Sequence, residues 1–160
     1  MSSRREKLGA RLGAAITPFL ESGESTVVAM PAIGGPNPWA WAWLFLAGVI
    51  PVLIASLFFV PSYVVALTDR RVLVLRGSKW RVGSAKELLL SAPRTDVAVT
   101  ERNLSRGSAM TLRLGYVYIK LRFPNGVKRI NVPSFFSVEA TALCDRLAAA
   151  TAPVPHQAAP

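Results

Sequence analysis

Lysine and arginine dominate the residues that could do chemistry in this chain. Between Arg70 and Arg129 there are 14 of them against three acids, Glu87, Asp96 and Glu101. Cations gathered in this way recognise anions: lipid headgroups, phosphate groups or nucleic acid. The spacing nominates Arg113, Lys120, Arg122 and Arg129 on one strand face. It also nominates Lys79-Trp80-Arg81, an aromatic between two cations, which suits a membrane interface. The other reading of that triplet is a tryptophan folded back on its own domain. Groups for covalent or acid–base work are sparse. The single histidine, His156, lies in a Pro/Ala-rich tail, Cys144 is the single cysteine, and no glycine-rich phosphate loop occurs. No catalytic residue, zinc site, disulfide or cofactor is therefore expected.

What could position these cations against an anionic surface is a stretch of opposite character. The 160-residue chain carries a formal charge of +10, yet has no charged residue between Glu24 and Asp69. Within that gap lies WAWAWLFLAGVIPVLIASLFFV, Trp39 to Val60. A helix of ~22 residues is about 33 Å long, enough for a hydrocarbon core of roughly 30 Å. Trp39, Trp41 and Trp43 crowd one end and Tyr63 follows the other, as headgroup-zone aromatics do. With Pro51, Phe58 and Phe59 they form the expected membrane-anchoring set. A buried core helix is the competing reading. The stretch lies too far into the chain, behind a polar segment, to be a cleavable signal peptide.

The N-terminal residues 1–20 place Leu8, Leu12, Ala15, Ile16, Phe19 and Leu20 at helical spacing among Arg4, Arg5, Lys7 and Arg11. This reads either as a basic amphipathic helix lying on an anionic surface or as a short solvated helix. Residues 21–36 form a polar lead-in with one short strand, Thr26 to Met30. After Pro61 the pattern turns to β: Tyr63 to Leu67 and Val72 to Arg76, joined by Thr68-Asp69-Arg70-Arg71, where Asp69 is expected to accept backbone N–H groups. A long polar loop from Gly77 to Arg94 follows, then a strand from Asp96 to Arg102.

Two turn signals set an expected register. Gly115-Tyr116 suits a II′ loop and Asn125-Gly126 a I′ loop. They pair Leu114 with Val117, Leu112 with Ile119 and Met110 with Leu121, then Leu121 with Ile130 and Ile119 with Val132, all on one apolar face. The opposite face then sets Lys120 against Asn131 and Arg122 against Arg129, a like-charged pair relieved by a bound phosphate or by solvent. A helix from about Ser134 to Ala150 closes the fold with Phe135, Phe136, Leu143 and Leu147 on its apolar side, and 151–160 is a compositionally disordered tail.

The run YVVALTDRRVLVLRGSKW resembles the bacterial pleckstrin-homology and GRAM-type families, in which an aliphatic strand passes through Thr-Asp/Asn-x-Arg into a second one. FLESGE, Phe19 to Glu24, is similar to their Gly-Glu opening. The resemblance covers about residues 19–150. It implies a mainly β fold: a pleckstrin-homology-like small barrel of antiparallel strands capped by a C-terminal helix, with no reaction chemistry. To this are added an apolar membrane helix or helical hairpin and the short N-terminal amphipathic helix. The expected organisation is 1–20 basic segment, 21–36 lead-in, 37–61 membrane-embedded segment, 62–150 pleckstrin-homology-like domain and 151–160 tail. One departure stands out: Trp39 to Val60 occupies the place of the first interstrand loop, which holds the basic phosphoinositide ligands in many relatives. A single span would separate the flanking strands, whereas a dip turning at Pro51 would not; both remain open at this point.

The expected partners are membrane lipids with anionic headgroups. The alternative is an accessory or scaffold subunit docked on another membrane protein. Nucleic acid fits the charge but not the lipid-like stretch. The expected location is the cell membrane, with the β-domain facing the cytoplasm.

Overall fold

The computed structural model describes residues 2–34, 48, 61–78, 81, 83–103 and 116–151. Helix α1 spans Ser2–Ile16 and ends in a 3-10 turn, Thr17–Phe19. Seven strands follow: β1 Thr26–Gly34, β2 Ser62–Thr68, β3 Arg71–Gly77, β4 Ala85–Pro93, β5 Ala98–Asn103, β6 Tyr116–Phe123 and β7 Gly126–Pro133. Helix α2, Ser137–Thr151, closes the sheet after another 3-10 turn, Ser134–Phe136. All pairings are antiparallel and the spatial order is β4-β3-β2-β1-β7-β6-β5. The fold is thus mainly β, an open seven-stranded sheet with a C-terminal helix. Among the described residues no ladder joins the edge strands β4 and β5, so the small closed barrel expected from the sequence is not formed as such.

Strand β1 is the centre of this sheet rather than part of a lead-in. It pairs with β2 from Thr26 to Ile33 and with β7 at Ile33 and Gly34. The sheet-forming unit therefore does not begin at residue 62. It also takes in α1, whose Leu12 and Ile16 are fully buried in the same core cluster as Met30, Val65 and Leu143. The apolar side expected to lie on an anionic surface is thus packed inside the protein. Residues 64–67 and 72–75 are buried without a break, the signature of strands covered on both faces. Helix α1 lies against β1 and β4, and α2 against β1, β5, β6 and β7.

The polar loop expected from Gly77 to Arg94 is mostly strand. The β3–β4 connection is short, closed by a Ser78 N–H bond to the Ser84 carbonyl (3.2 Å), and β4 runs nine residues beyond it. Its exposed Lys86 and Glu87 and its terminal Pro93 are edge-strand residues that discourage pairing with another chain. The expected strand at Asp96 begins two residues later, because Arg94–Asp96 forms a 3-10 turn.

The register of β6 and β7 differs from the expected one by two residues. No described non-glycine residue has positive φ, so Asn125 cannot take a I′ position. The loop residues are instead Pro124 and Asn125, with Pro124 fixed at negative φ, and Gly126 takes the positive φ (135°). A two-residue slip keeps every side chain on its face but changes its partner. Ile119 faces Ile130, Val117 faces Val132, and Lys120 faces Arg129, while Arg122 faces Val127. On the other edge of β6 the partner is β5, from Tyr118 to Arg122, so Ile119 and Leu121 are opposite Arg102 and Val99 rather than Leu112 and Met110. Met110 to Gly115 lie outside the described residues.

Candidate functional site

The two motifs that carry the resemblance meet at one end of the sheet. Glu24 Oε1 accepts from Arg71 Nε (2.9 Å) and Oε2 from Arg71 Nη2 (2.8 Å), a two-pronged ion pair. Thr68 Oγ1 donates to Glu24 Oε1 (2.6 Å), and the Glu21 N–H donates to Oε2 (2.8 Å). Arg71 also donates to the Phe19 carbonyl (3.1 Å) and reaches Glu21 (2.8 Å). The Glu24 side chain is fully buried. Its carboxyl is held down at about 2, chiefly by the Arg71 bond against the cost of burial. The same bond pushes Arg71 further up. Thr68, not Asp69, satisfies the turn: its Oγ1 accepts from the N–H of Arg71 (2.9 Å). Asp69 instead accepts from the Ser25 N–H (3.0 Å), across the lead-in. Every group of this cluster has a partner within the fold, which makes it a pin rather than a ligand site.

The opposite end is different. There the Gly34 N–H donates to the Pro61 carbonyl (2.8 Å), so the chain leaves β1 and returns to β2 at one point. A collar surrounds this stem. Tyr63, opposite Ala32 and Arg76, lays its ring across Gly34; a Cβ there would sit 2.5 Å from the ring, so only glycine fits. Lys128 Nζ stands 5.4 Å from the centre of the same ring, within cation–π range. Ile130 pairs with Gly34, so Arg129 lies one position beyond the end of β1. Arg76 is exposed and approaches Glu87 at a long 3.9 Å.

Beside the collar, the outer face of β5, β6 and β7 carries three cations against one carboxylate. Lys120 lies directly opposite Arg129, Arg122 stands next along β6, and Glu101 approaches Lys120 at 3.9 Å. Direct opposition of like charges on a sheet is unfavourable unless an anion or water intervenes. Tyr118 shares this face; burial and then Glu101 push its phenol up, against a smaller downward pull from Arg129.

Of the residues nominated from sequence, the structure brings together Lys120, Arg122 and Arg129 on this face and Tyr63 in the collar. The Arg122/Arg129 pair is corrected to Lys120/Arg129. Arg81 is exposed in the β3–β4 connection. Lys79, Trp80 and Arg113, and the anchoring set Trp39, Trp41, Trp43, Pro51, Phe58 and Phe59, lie outside the described residues. Sequence reasoning did not nominate Lys128, Arg76 or Gly34 for the site. A signal was present for Lys128: its parity with Ile130 and Val132 puts a lysine on the core side, where it must reach outward at the strand's end.

Cys144 is buried, and burial raises its thiol to about 11, so it is protonated at neutral pH. Among the described residues no three metal-ligating side chains converge, and no helix is long and apolar enough to cross a membrane. Comparisons with family models, with curated proteins and with solved structures found no match.

Proposed function

We propose that the chain is a non-enzymatic, membrane-attached module of pleckstrin-homology-like type that presents a basic surface to anionic lipid headgroups or phosphate groups. The carrying observation is the stem. The uncharged stretch of residues 35–60 departs from a point ringed by Tyr63, Arg76, Lys128 and Arg129, the mixture of aromatic and cationic side chains suited to the interfacial zone. Once that stretch is in lipid, the collar and the Lys120/Arg129 row stand within a few ångströms of headgroups, and each cation contributes about 1 kcal/mol. The strand order, the closing helix and the union of Glu24 with Thr68 and Arg71 support the pleckstrin-homology-like assignment, which remains a fold-level analogy. The cell membrane, with the sheet facing the cytoplasm, is the location this reading assigns.

The test replaces residues 35–60 by a short Gly/Ser turn, which the Gly34–Pro61 bond allows, and measures co-sedimentation with vesicles. The expected result is binding to vesicles containing about one-third anionic lipid, release by salt, and no binding to neutral vesicles. Lys120→Ala with Arg129→Ala should weaken binding by about 2 kcal/mol, ~30-fold. Equal indifference to both vesicle types would overturn the headgroup role. It would favour the second reading, an accessory subunit docked on a membrane protein, for which Phe135 (59% exposed) in the turn before α2 and Val138 (64%) at the start of α2 offer an apolar contact.

A further inference from the structure

The geometry points to a bilayer entered and left through a single leaflet, with α1, the whole sheet and α2 on one side; this rests on the membrane-attached reading above. Three observations carry it. First, the two flanks of the apolar stretch are hydrogen-bonded neighbours. Ile33 pairs with Ser62, the Gly34 N–H reaches the Pro61 carbonyl at 2.8 Å, and the ladder continues to Thr26 and Thr68. One transmembrane crossing would put β1 and β2 on opposite sides and break the central pairing of the sheet, exposing Met30 and Val65, both fully buried.

Second, the length is wrong for two crossings. About 26 residues separate Gly34 from Pro61, roughly 13 out and 13 back. As helix that is about 20 Å each way, against a hydrocarbon core of roughly 30 Å. An extended hairpin would be long enough at about ten residues per strand, but it needs alternating polar and apolar residues. The stretch has no such alternation and contains Pro36, Pro38 and Pro51.

Third, the cations sit where the chain would meet a single surface. Lys128, Arg129 and Arg76 all flank the stem, whereas the Glu24–Arg71 pin at the far end of β1 is internally neutralised. A charged collar on one side and a neutral pin on the other give the sheet one membrane-facing end.

The experiment uses the full chain with Cys144→Ala, Ser22→Cys and Ser134→Cys, reconstituted into liposomes and treated with a membrane-impermeant maleimide. Ser22 precedes β1 and Ser134 follows β7, and both are exposed. Intact mass then counts labels per molecule, whatever the orientation of insertion. Molecules with two labels or none are expected. A population carrying one label would overturn the inference while leaving membrane attachment intact. A single cysteine placed at Val52 in the chain carrying only Cys144→Ala should not be labelled from the face opposite the sheet in liposomes of uniform orientation; labelling there would overturn the inference as well. If the full chain does not float with liposomes at all, the membrane-attached reading fails and this inference falls with it.

Discussion

Glu24 and Arg71 are the residues whose loss should be felt most. Their ion pair is two-pronged, buried on the carboxylate side, and tied to Thr68, Glu21 and Phe19. Arg71→Ala leaves a buried carboxylate without its cation and is expected to cost about 3–5 kcal/mol in urea unfolding at pH 7. Arg71→Lys should recover only part, since an ammonium cannot bridge both oxygens. The pair also sets an acid dependence. The Glu24 carboxyl falls from an ordinary 4.5 to about 2 on folding, so its contribution is fully present above pH 4.5 and is lost as pH falls toward 2. That contribution is about 3 kcal/mol. Unfolding of the parent chain should show this loss between pH 4.5 and 2, and Glu24→Gln should not. Both motif segments were visible in the sequence; their meeting was not. The role expected of Asp69 fell to Thr68, because a hydroxyl can donate to the carboxylate and accept from the turn at once, and Asp69 was drawn away to Ser25.

Among the elements, those with clear periodicity were legible and those shaped by context were not. Strands β2, β3, β6 and β7 and helix α2 read directly from apolar runs and alternation. Strand β4 did not, because an edge strand is half solvated and KELLL has no period of two. The β6–β7 face was legible although its partners were not: parity survives a two-residue slip, and Pro124 moved the loop by one position relative to Asn125-Gly126. The amphipathic pattern of α1 was legible, but the surface it covers, on β1 and β4, exists only once distant strands have paired. This gives a sharp test. Leu12 is fully buried, so Leu12→Ala should destabilise the fold by about 2–4 kcal/mol in chemical unfolding. A helix resting on lipid would lose vesicle affinity instead, with little change in unfolding.

At the scale of the molecule, the apolar stretch is an insertion into a hairpin whose ends already touch. Sheet stability should therefore be independent of it, apart from the entropy of closing the loop. Cutting about 26 residues to about four should raise stability by roughly 1–2 kcal/mol by that term alone, measurable by urea unfolding of the turn-replaced chain. A fall in stability would mean that residues 35–60 pack on the sheet. The cations of the candidate site were legible as a class, but the choice among them depended on where the stem emerges. Lys128 and Arg76 matter because they stand beside Tyr63 and Gly34, a closeness that no local pattern encodes.

The place of β1 in the strand order also has a consequence for synthesis. Its two neighbours are β2, made only after residues 35–60, and β7, made about 60 residues later still. While the nascent chain grows, the central strand waits unpaired, and the greasiest part of the protein leaves the ribosome before any partner exists. On the membrane-attached reading, delivery to lipid would come before assembly of the sheet, because the uncharged stretch is synthesised before either partner of β1.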